Sequence, residues 1–197
     1  MRISNINIVL TWLRKVKDYM RKNNSKKIIS RAKLEVKRLF YENRIVFDLG
    51  VTKEKRNPQI IVSLTTYPAR IDKVNRAIKT LLTQSTKPDR VILWLAESQF
   101  PNKEADLPKK LLKLCKYGLE IKWCEDLKSY KKLIPTIVKY PNDVVITVDD
   151  DLLYDKHMIE KLYNSYLKHP QCISCLRAHL MTFINDGTLR PYNEWIK

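Results

Sequence analysis

The chain has 197 residues, of which 44% are hydrophobic and 30% are charged, and this composition is typical of a globular protein rather than a disordered one. A chain of this length can bury one moderate core with some additional structure, and it contains no apolar run near the ~20 residues of a membrane-spanning helix. The formal net charge is +17, and residues 1–40 hold 12 Lys and Arg against two acids, so 12 − 2 = +10 lies in the first fifth. This excess predicts an acidic partner, such as nucleic acid, anionic lipid or a phosphorylated substrate.

Two basic amphipathic helices are predicted at the start of the chain. Residues 5–22 and residues 28–40 each place apolar side chains on one helical face, and Ser25 between them can cap the second helix. A basic amphipathic helix with a tryptophan, here Trp12, is typical of proteins that lie on an anionic membrane surface. The same pattern is equally consistent with helices that pack on the main domain or on another chain.

The polar stretch 51–57 predicts a linker, which divides the chain into a helical extension (1–57) and a main domain (58–197). Strand and helix patterns alternate from Pro58 onward, and this alternation predicts an α/β fold with a mainly parallel sheet. The predicted strands are 59–65, 90–96, 119–124, 144–148 and 172–180, and the predicted helices are 73–83, 107–117, 130–139 and 156–168.

The predicted strand 144–148 is the most informative segment. It is apolar on both faces, which predicts that it is buried, and it ends in Asp149, Asp150 and Asp151. Three carboxylates at the carboxyl end of a strand repel one another unless a positive group lies beside them, and ligands usually bind at that edge of a sheet. Hard divalent cations prefer such oxygens, so the sequence predicts Mg²⁺ or Mn²⁺ here. A solvated acidic turn is the alternative.

Several nucleotide-handling classes are excluded by glycine content. The chain has three glycines, Gly50, Gly118 and Gly187, and therefore no glycine-rich phosphate loop or dinucleotide-binding fingerprint. The Asp149-x-Asp151 spacing also occurs in phosphatases of the haloacid dehalogenase type. Those proteins carry the motif on their opening strand, whereas three strands are predicted before it here, so this class is kept as a minor alternative.

An ordered series of motifs resembles bacterial family-2-like glycosyltransferases of GT-A fold, the enzymes that build capsule, O-antigen or lipooligosaccharide glycans. The series comprises residues 61–70, 81–88, 91–96 and 129–135, followed by Asp149-Asp150-Asp151 with Tyr154. The resemblance covers residues 59–195. It implies a Rossmann-like sheet and transfer of a sugar from a nucleotide-diphosphate donor, here a UDP-sugar, to a cell-surface glycan or a lipid-linked acceptor.

The resemblance also implies roles for single residues. Asp149 and Asp151 would hold Mn²⁺ or Mg²⁺ against the donor's diphosphate. The donor-binding residues are expected to be Thr65, Tyr67, Arg70, Asp126, Lys132, Asp149 and Asp150. Arginine offers multidentate phosphate contacts and tyrosine can stack on a base. For three of the positions a structural role stays open: Tyr67 in a rigid turn, Lys132 as a solvated side chain, and Asp126 as a helix cap.

Members of that family usually continue well beyond this point, with an acceptor-binding half and a general base. We therefore expect a truncated chain whose acceptor half is incomplete, and no catalytic base can be assigned. A catalytically incomplete module that binds the donor or a membrane is the alternative function. Nucleic acid is not expected as a partner, because the basic N-terminus shows neither aromatic stacking platforms between its basic residues nor a known nucleic-acid-binding motif. With four cysteines in no disulfide framework and no secretory signal, the expected location is cytoplasmic. If the N-terminal helices lie on a membrane, the protein would be peripheral on the inner face of the cytoplasmic membrane.

Overall fold

A four-stranded parallel sheet forms the centre of the protein in the computed structural model, which describes residues 26–43, 48–54 and 56–196. The strands are β1 (Ile60–Thr65), β2 (Arg90–Ala96), β3 (Leu119–Cys124) and β4 (Val144–Thr147). All three strand pairs are parallel, so the predicted α/β class with a parallel sheet is confirmed. The helix predicted at 5–22 lies outside the described residues.

The direction in which the chain adds strands to the sheet reverses between β1 and β4. The order is β3-β2-β1-β4, so the chain first builds outward from β1 and then returns to its other side. Ile61 lies opposite Arg90 on β2 and opposite Val145 on β4. In open α/β sheets, ligands bind outside the carboxyl ends of the strands at such a reversal. The Rossmann-like topology therefore predicts a ligand crevice at the carboxyl ends of β1 and β4.

Helices connect and cover the strands. The α-helices are α1 (Lys26–Asn43), α2 (Asn75–Leu81), α3 (Lys109–Leu112), α4 (Ile134–Lys139) and α5 (Met158–Lys168). Two of the predicted helices are partly 3₁₀: α3 continues as Lys113–Tyr117, and Lys128–Lys132 precedes α4. The first of these ends at Gly118, whose φ of +106° is the left-handed conformation that favours glycine.

The sheet has two unequal faces. One face packs alternate residues of β1 and β2 against α2 and α5, and this cluster contains most of the buried side chains. The other face buries Ile61, Ile92 and Trp94, and it also holds polar groups. There Ser63 and Trp94 both hydrogen-bond to the Thr136 hydroxyl of α4 at 2.8 Å. The helices therefore cover a large apolar core on one side and a smaller, partly polar one on the other.

Two predictions about strands are wrong. Strand β4 was expected to be buried on both faces, but Val144 and Val145 are partly buried and Thr147 is exposed. The reason is that β4 is an edge strand, since no strand among the described residues pairs with its outer side. The predicted strand 172–180 does not form; Ile173 is fully exposed, and Leu180 makes an isolated antiparallel bridge to Ile196. No strand among the described residues lies beside that segment to supply backbone partners.

The polar stretch before the sheet follows the surface of the main domain. The Gly50 N–H donates to the Tyr117 carbonyl at 2.7 Å, and the Thr52 N–H donates to the Pro88 carbonyl at 2.9 Å. Helix α1 contacts α2, with its predicted apolar face only partly covered, since Phe40 is 58% exposed. No helix in the described part of the chain is long and apolar enough to cross a membrane. The boundary at residues 57 and 58 stays a prediction.

Candidate functional site

A cleft of about 370 Å³ opens at the carboxyl ends of the strands, where the strand order reverses. The loops after all four strands contribute to it, and so does the 3₁₀ turn Lys128–Lys132. Its lining residues are Thr65, Thr66, Tyr67, Arg70, Gln99, Asp126, Lys128, Ser129, Lys131, Lys132, Val148, Asp149 and Asp150. Most of these side chains are charged or hydroxylated, so the cleft suits a polar ligand.

The cleft brings together residues that are far apart in the sequence. Seven positions predicted to bind a donor line it: Thr65, Tyr67, Arg70, Asp126, Lys132, Asp149 and Asp150. Asp151, predicted as a metal ligand, is not part of the lining, but its carboxylate lies 3.0 Å from Arg70 Nη1. The convergence is a property of the fold; the donor-binding roles stay predictions.

Asp150 ties the loop after β1 to the loop after β4. Its carboxylate accepts hydrogen bonds from Thr66 Oγ1 at 2.5 Å and from Arg70 Nη1 at 2.8 Å, and the residue is only 9% exposed. The bond to Asp150 is the main cause that raises the pKa of Arg70 above its ordinary value. Asp150 is therefore largely committed to contacts within the protein.

Asp149 and Asp151 differ from Asp150 because both are more than half exposed. Lys132 Nζ donates to Asp149 Oδ1 at 2.6 Å, and Arg70 Nη1 donates to Asp151 Oδ2 at 3.0 Å. The Asp149 N–H donates to the Tyr154 hydroxyl at 2.6 Å, and burial raises the pKa of Tyr154 to about 12. The positive groups required beside three carboxylates are therefore, among the described residues, Arg70 and Lys132.

The donor set suits a cation shared with a ligand rather than one enclosed by protein. In the described ranges, no three His, Cys, Asp or Glu side chains come together to hold a metal. However, Mg²⁺ commonly uses one or two carboxylates together with substrate phosphates and water. Asp149 and Asp151 offer two exposed carboxylates of this kind. The residues present are therefore compatible with a hard divalent ion that is completed by a phosphate ligand.

The formal charges at the cleft balance. Four lining residues are cationic (Arg70, Lys128, Lys131, Lys132) and three are anionic (Asp126, Asp149, Asp150), and Asp151 adds one negative charge beside them, so 4 − 4 = 0. A diphosphate carries at least two negative charges, and a neutral cleft gives it little net attraction. A divalent cation would bring the total to +2, which is an electrostatic reason to expect one with such a ligand.

Asp126 anchors one wall of the cleft. Its carboxylate accepts hydrogen bonds from Lys131 Nζ at 2.6 Å, from Gln99 Nε2 at 3.0 Å, and from the backbone N–H and the amine of Lys128 at 3.1 and 3.0 Å. These bonds, above all the one from Lys131, hold the pKa of Asp126 well below its usual range. These hydrogen bonds favour the structural role considered for Asp126, because they hold the turn 128–132 in place.

The loop after β1 presents an aromatic ring to the cleft. Tyr67 is 44% exposed, and the Arg70 guanidinium lies over its ring at 5.6 Å from the centroid. Thr65 Oγ1 instead donates to the Trp94 carbonyl at 2.8 Å, which ties the end of β1 to β2. Tyr67 is therefore available to a planar ligand, whereas the Thr65 hydroxyl is engaged in holding the sheet.

Sequence reasoning missed Thr66 and Gln99, and it preferred Lys132 over its neighbour Lys131. Thr66 and Gln99 both follow the carboxyl end of a strand, so the parallel topology alone could have placed them at this edge. Lys131 has a side chain only 3% exposed, which its ion pair with Asp126 makes possible. The sequence feature that could have indicated this ion pair is Asp126, which lies five residues before Lys131 in the loop after β3.

Two titratable residues near the end of the described chain, His179 and Glu194, are not part of the cleft lining. The ring of His179 stacks on Tyr192, with centroids 5.3 Å apart, and Glu194 forms an ion pair with Arg190 at 3.2 Å.

Comparisons with protein-family models, with curated proteins and with solved structures give no match for this chain.

Proposed function

We propose that the chain is a glycosyltransferase of GT-A type that takes a sugar from a UDP-linked donor and transfers it to a cell-surface glycan or a lipid-linked acceptor. The observation that carries the proposal is the cleft at the reversal between β1 and β4. It gathers the Arg70 guanidinium, the partly buried amine of Lys132 and the exposed ring of Tyr67 beside an Asp-x-Asp motif. Ligand crevices of open α/β sheets occur at this place.

Each side chain then has a chemical task in donor binding. Tyr67 offers a ring for the uracil base, and Arg70 and Lys132 donate to the diphosphate oxygens. Asp150 holds Arg70 in place, since it accepts one of the guanidinium hydrogen bonds. Asp149 and Asp151 would hold Mg²⁺ or Mn²⁺, whose chemistry here is Lewis-acid stabilisation of the departing diphosphate.

The proposal is tested by calorimetry with UDP and with uridine, each with and without Mn²⁺. We expect the protein to bind UDP only with the metal and to bind uridine far more weakly, because uridine lacks the phosphates. The Asp151→Asn variant should lose the metal-dependent part of UDP binding while its melting curve is unchanged. Equal affinity for UDP and uridine in the unaltered protein would contradict the proposal.

A second candidate is a module that binds the donor without transferring the sugar. The observation in its favour is that the four carboxylates at the cleft are all engaged with Lys or Arg side chains, so none of them is free to serve as a base. Release of UDP from a set of UDP-sugars, measured with and without glycan acceptors, separates the two. Donor binding without any UDP release supports the binding module.

A further inference from the structure

Lys132 and a divalent cation need the same carboxylate in the proposed donor site. Lys132 Nζ donates to Asp149 Oδ1 at 2.6 Å, and Asp149 is one of the two exposed carboxylates assigned to the ion. A cation bound to the same carboxylate would lie close to the Lys132 ammonium and would be repelled by it, so the two compete for Asp149. We infer that Lys132 couples metal binding to phosphate binding: it neutralises Asp149 before the ion arrives and then donates to the diphosphate. This inference rests on the proposed function.

The local structure allows Lys132 to change partner without a change in the backbone. Lys132 ends the 3₁₀ turn Lys128–Lys132, which Asp126 anchors through Lys128 and Lys131. Its side chain lines the cleft and is 24% exposed. A lysine ammonium lies on a flexible four-carbon stem, so its position is set by rotamers rather than by the fold. A change of partner by Lys132 therefore requires only rotation of its side chain.

Arg70, the other cation beside the three consecutive aspartates, is less free to move than Lys132. It donates to the buried Asp150 at 2.8 Å as well as to Asp151, and loss of the Asp150 contact leaves a buried carboxylate short of a partner. Lys132 is paired with Asp149, whose side chain is 56% exposed and can be hydrated when the lysine leaves. The cost of changing partners is thus lower for Lys132.

The proposed coupling affects the binding of the metal and the binding of UDP in opposite directions. For the metal alone, Lys132 is a competitor, so its removal strengthens binding. For UDP in the presence of the metal, Lys132 is a ligand of the phosphates, so its removal weakens binding. The loss of a partly exposed ion pair changes an equilibrium constant by as much as about fivefold. A lysine with only a structural role would not shift the two affinities in opposite directions.

The experiment compares Lys132→Met with the unaltered protein and with Lys139→Met. Methionine keeps the aliphatic stem without the charge, and Lys139 is an exposed residue on α4 outside the cleft lining, so the control removes the same charge. Mn²⁺ binding without nucleotide is measured from the EPR signal of free Mn²⁺, and UDP binding at saturating Mn²⁺ by calorimetry. Melting curves establish that all three proteins are folded.

We expect Lys132→Met to bind Mn²⁺ about two- to fivefold more tightly and UDP at saturating Mn²⁺ about fivefold or more weakly, with Lys139→Met near the unaltered values. Unchanged or weaker Mn²⁺ binding in Lys132→Met overturns the inference but leaves the proposed function, provided that the unaltered protein binds UDP with Mn²⁺. If the unaltered protein binds neither Mn²⁺ nor UDP, both the inference and the proposed function are overturned.

Discussion

Three consecutive aspartates in this protein have three different environments. Asp150 is buried against Thr66 and Arg70, while the carboxylates of Asp149 and Asp151 extend into solvent with one cation each. The difference follows from the turn after β4, which directs the middle side chain back toward the loop after β1. At this scale a like-charged run divides into one structural residue and two that are available to a ligand.

This division predicts different effects on stability. Asp150→Ala removes hydrogen bonds to a charged group from a buried position and should lower the free energy of unfolding by about 1.5–3 kcal/mol. Asp151→Ala, at an exposed ion pair, should lower it by less than about 1 kcal/mol. Urea denaturation of the two variants measures both values. Equal losses would show that Asp150 does not tie the two loops together.

Arg70 is expected to contribute directly to nucleotide binding. Arg70→Ala should weaken UDP binding about tenfold or more, the range for hydrogen bonds to charged groups. Uridine is the control ligand, because its affinity should change little when a phosphate contact is removed. Since Arg70 also pairs with Asp150, binding is compared at a temperature well below the melting transition of the variant. Equal weakening of UDP and uridine would assign Arg70 to loop structure alone.

Asp126 predicts an acid-dependent loss of stability. Its pKa in the folded protein lies below the ordinary value of about 3.9, so its contribution is complete above that pH. As the pH falls from about 4 toward the folded pKa, the carboxylate is protonated and the contribution is lost. The stability difference between the unaltered protein and Asp126→Asn should therefore be constant from pH 5 to 7 and shrink below about pH 4. A difference that stays constant down to pH 3 in urea titrations would contradict this.

At the scale of elements, the turn into β3 depends on Gly118. Its φ is +106°, and a Cβ there would lie 2.8 Å from the nearest Val51 side-chain carbon. Gly118→Ala should cost about 1–2 kcal/mol for the left-handed backbone, with a further cost for the close contact. In a Val51→Ala background the added cost should decrease, because the contact is relieved. Additive effects in this double-mutant cycle would exclude the contact as a cause.

Elements whose ends are marked by local sequence signals were predicted more accurately than elements that depend on the arrangement of the whole sheet. Strands β2 and β3 were predicted with their observed bounds, because a Pro-Asp turn and Gly118 mark their starts. The predicted strand 172–180 failed because β-favouring residues do not reveal whether a partner strand is present. The edge position of β4 was hidden for the same reason, since strand order is a property of the whole sheet.

The same distinction applies to the site. Residues that follow strands could be assigned to one edge, because parallel strands all end there. The pairing of Arg70 with Asp150, 80 positions apart in the sequence, depends on the order in which the strands lie and on side-chain rotamers. Neither is contained in a local motif. The sequence therefore predicted seven of the residues that line the cleft, and it did not predict which of them neutralise one another.

At the scale of the whole molecule, the uneven charge predicts binding to anionic membranes. The full-length chain should bind vesicles that contain phosphatidylserine at low salt and dissociate as salt screens the +10 of residues 1–40. Trp12 fluorescence should shift to shorter wavelength, and a Trp12→Phe variant assigns the shift. Neutralising five residues to glutamine in the full chain should weaken binding: Arg14, Lys15, Lys17, Arg21 and Lys22. Absence of binding at low salt, or binding that salt does not affect, would contradict the prediction.

The strand order also has a consequence for how the protein folds during synthesis. Neighbouring strands β1, β2 and β3 pair over short separations, with Ile61 opposite Arg90 and Val91 opposite Leu119. The pairing of β1 with β4 joins Ile60 to Val144, a separation of 144 − 60 = 84 residues, and closing the longer loop costs more chain entropy. We therefore expect β4 to dock last, after residues 144–147 have left the ribosome. Substitutions that slow this docking would delay the ability to bind a ligand without delaying formation of the β1–β3 core.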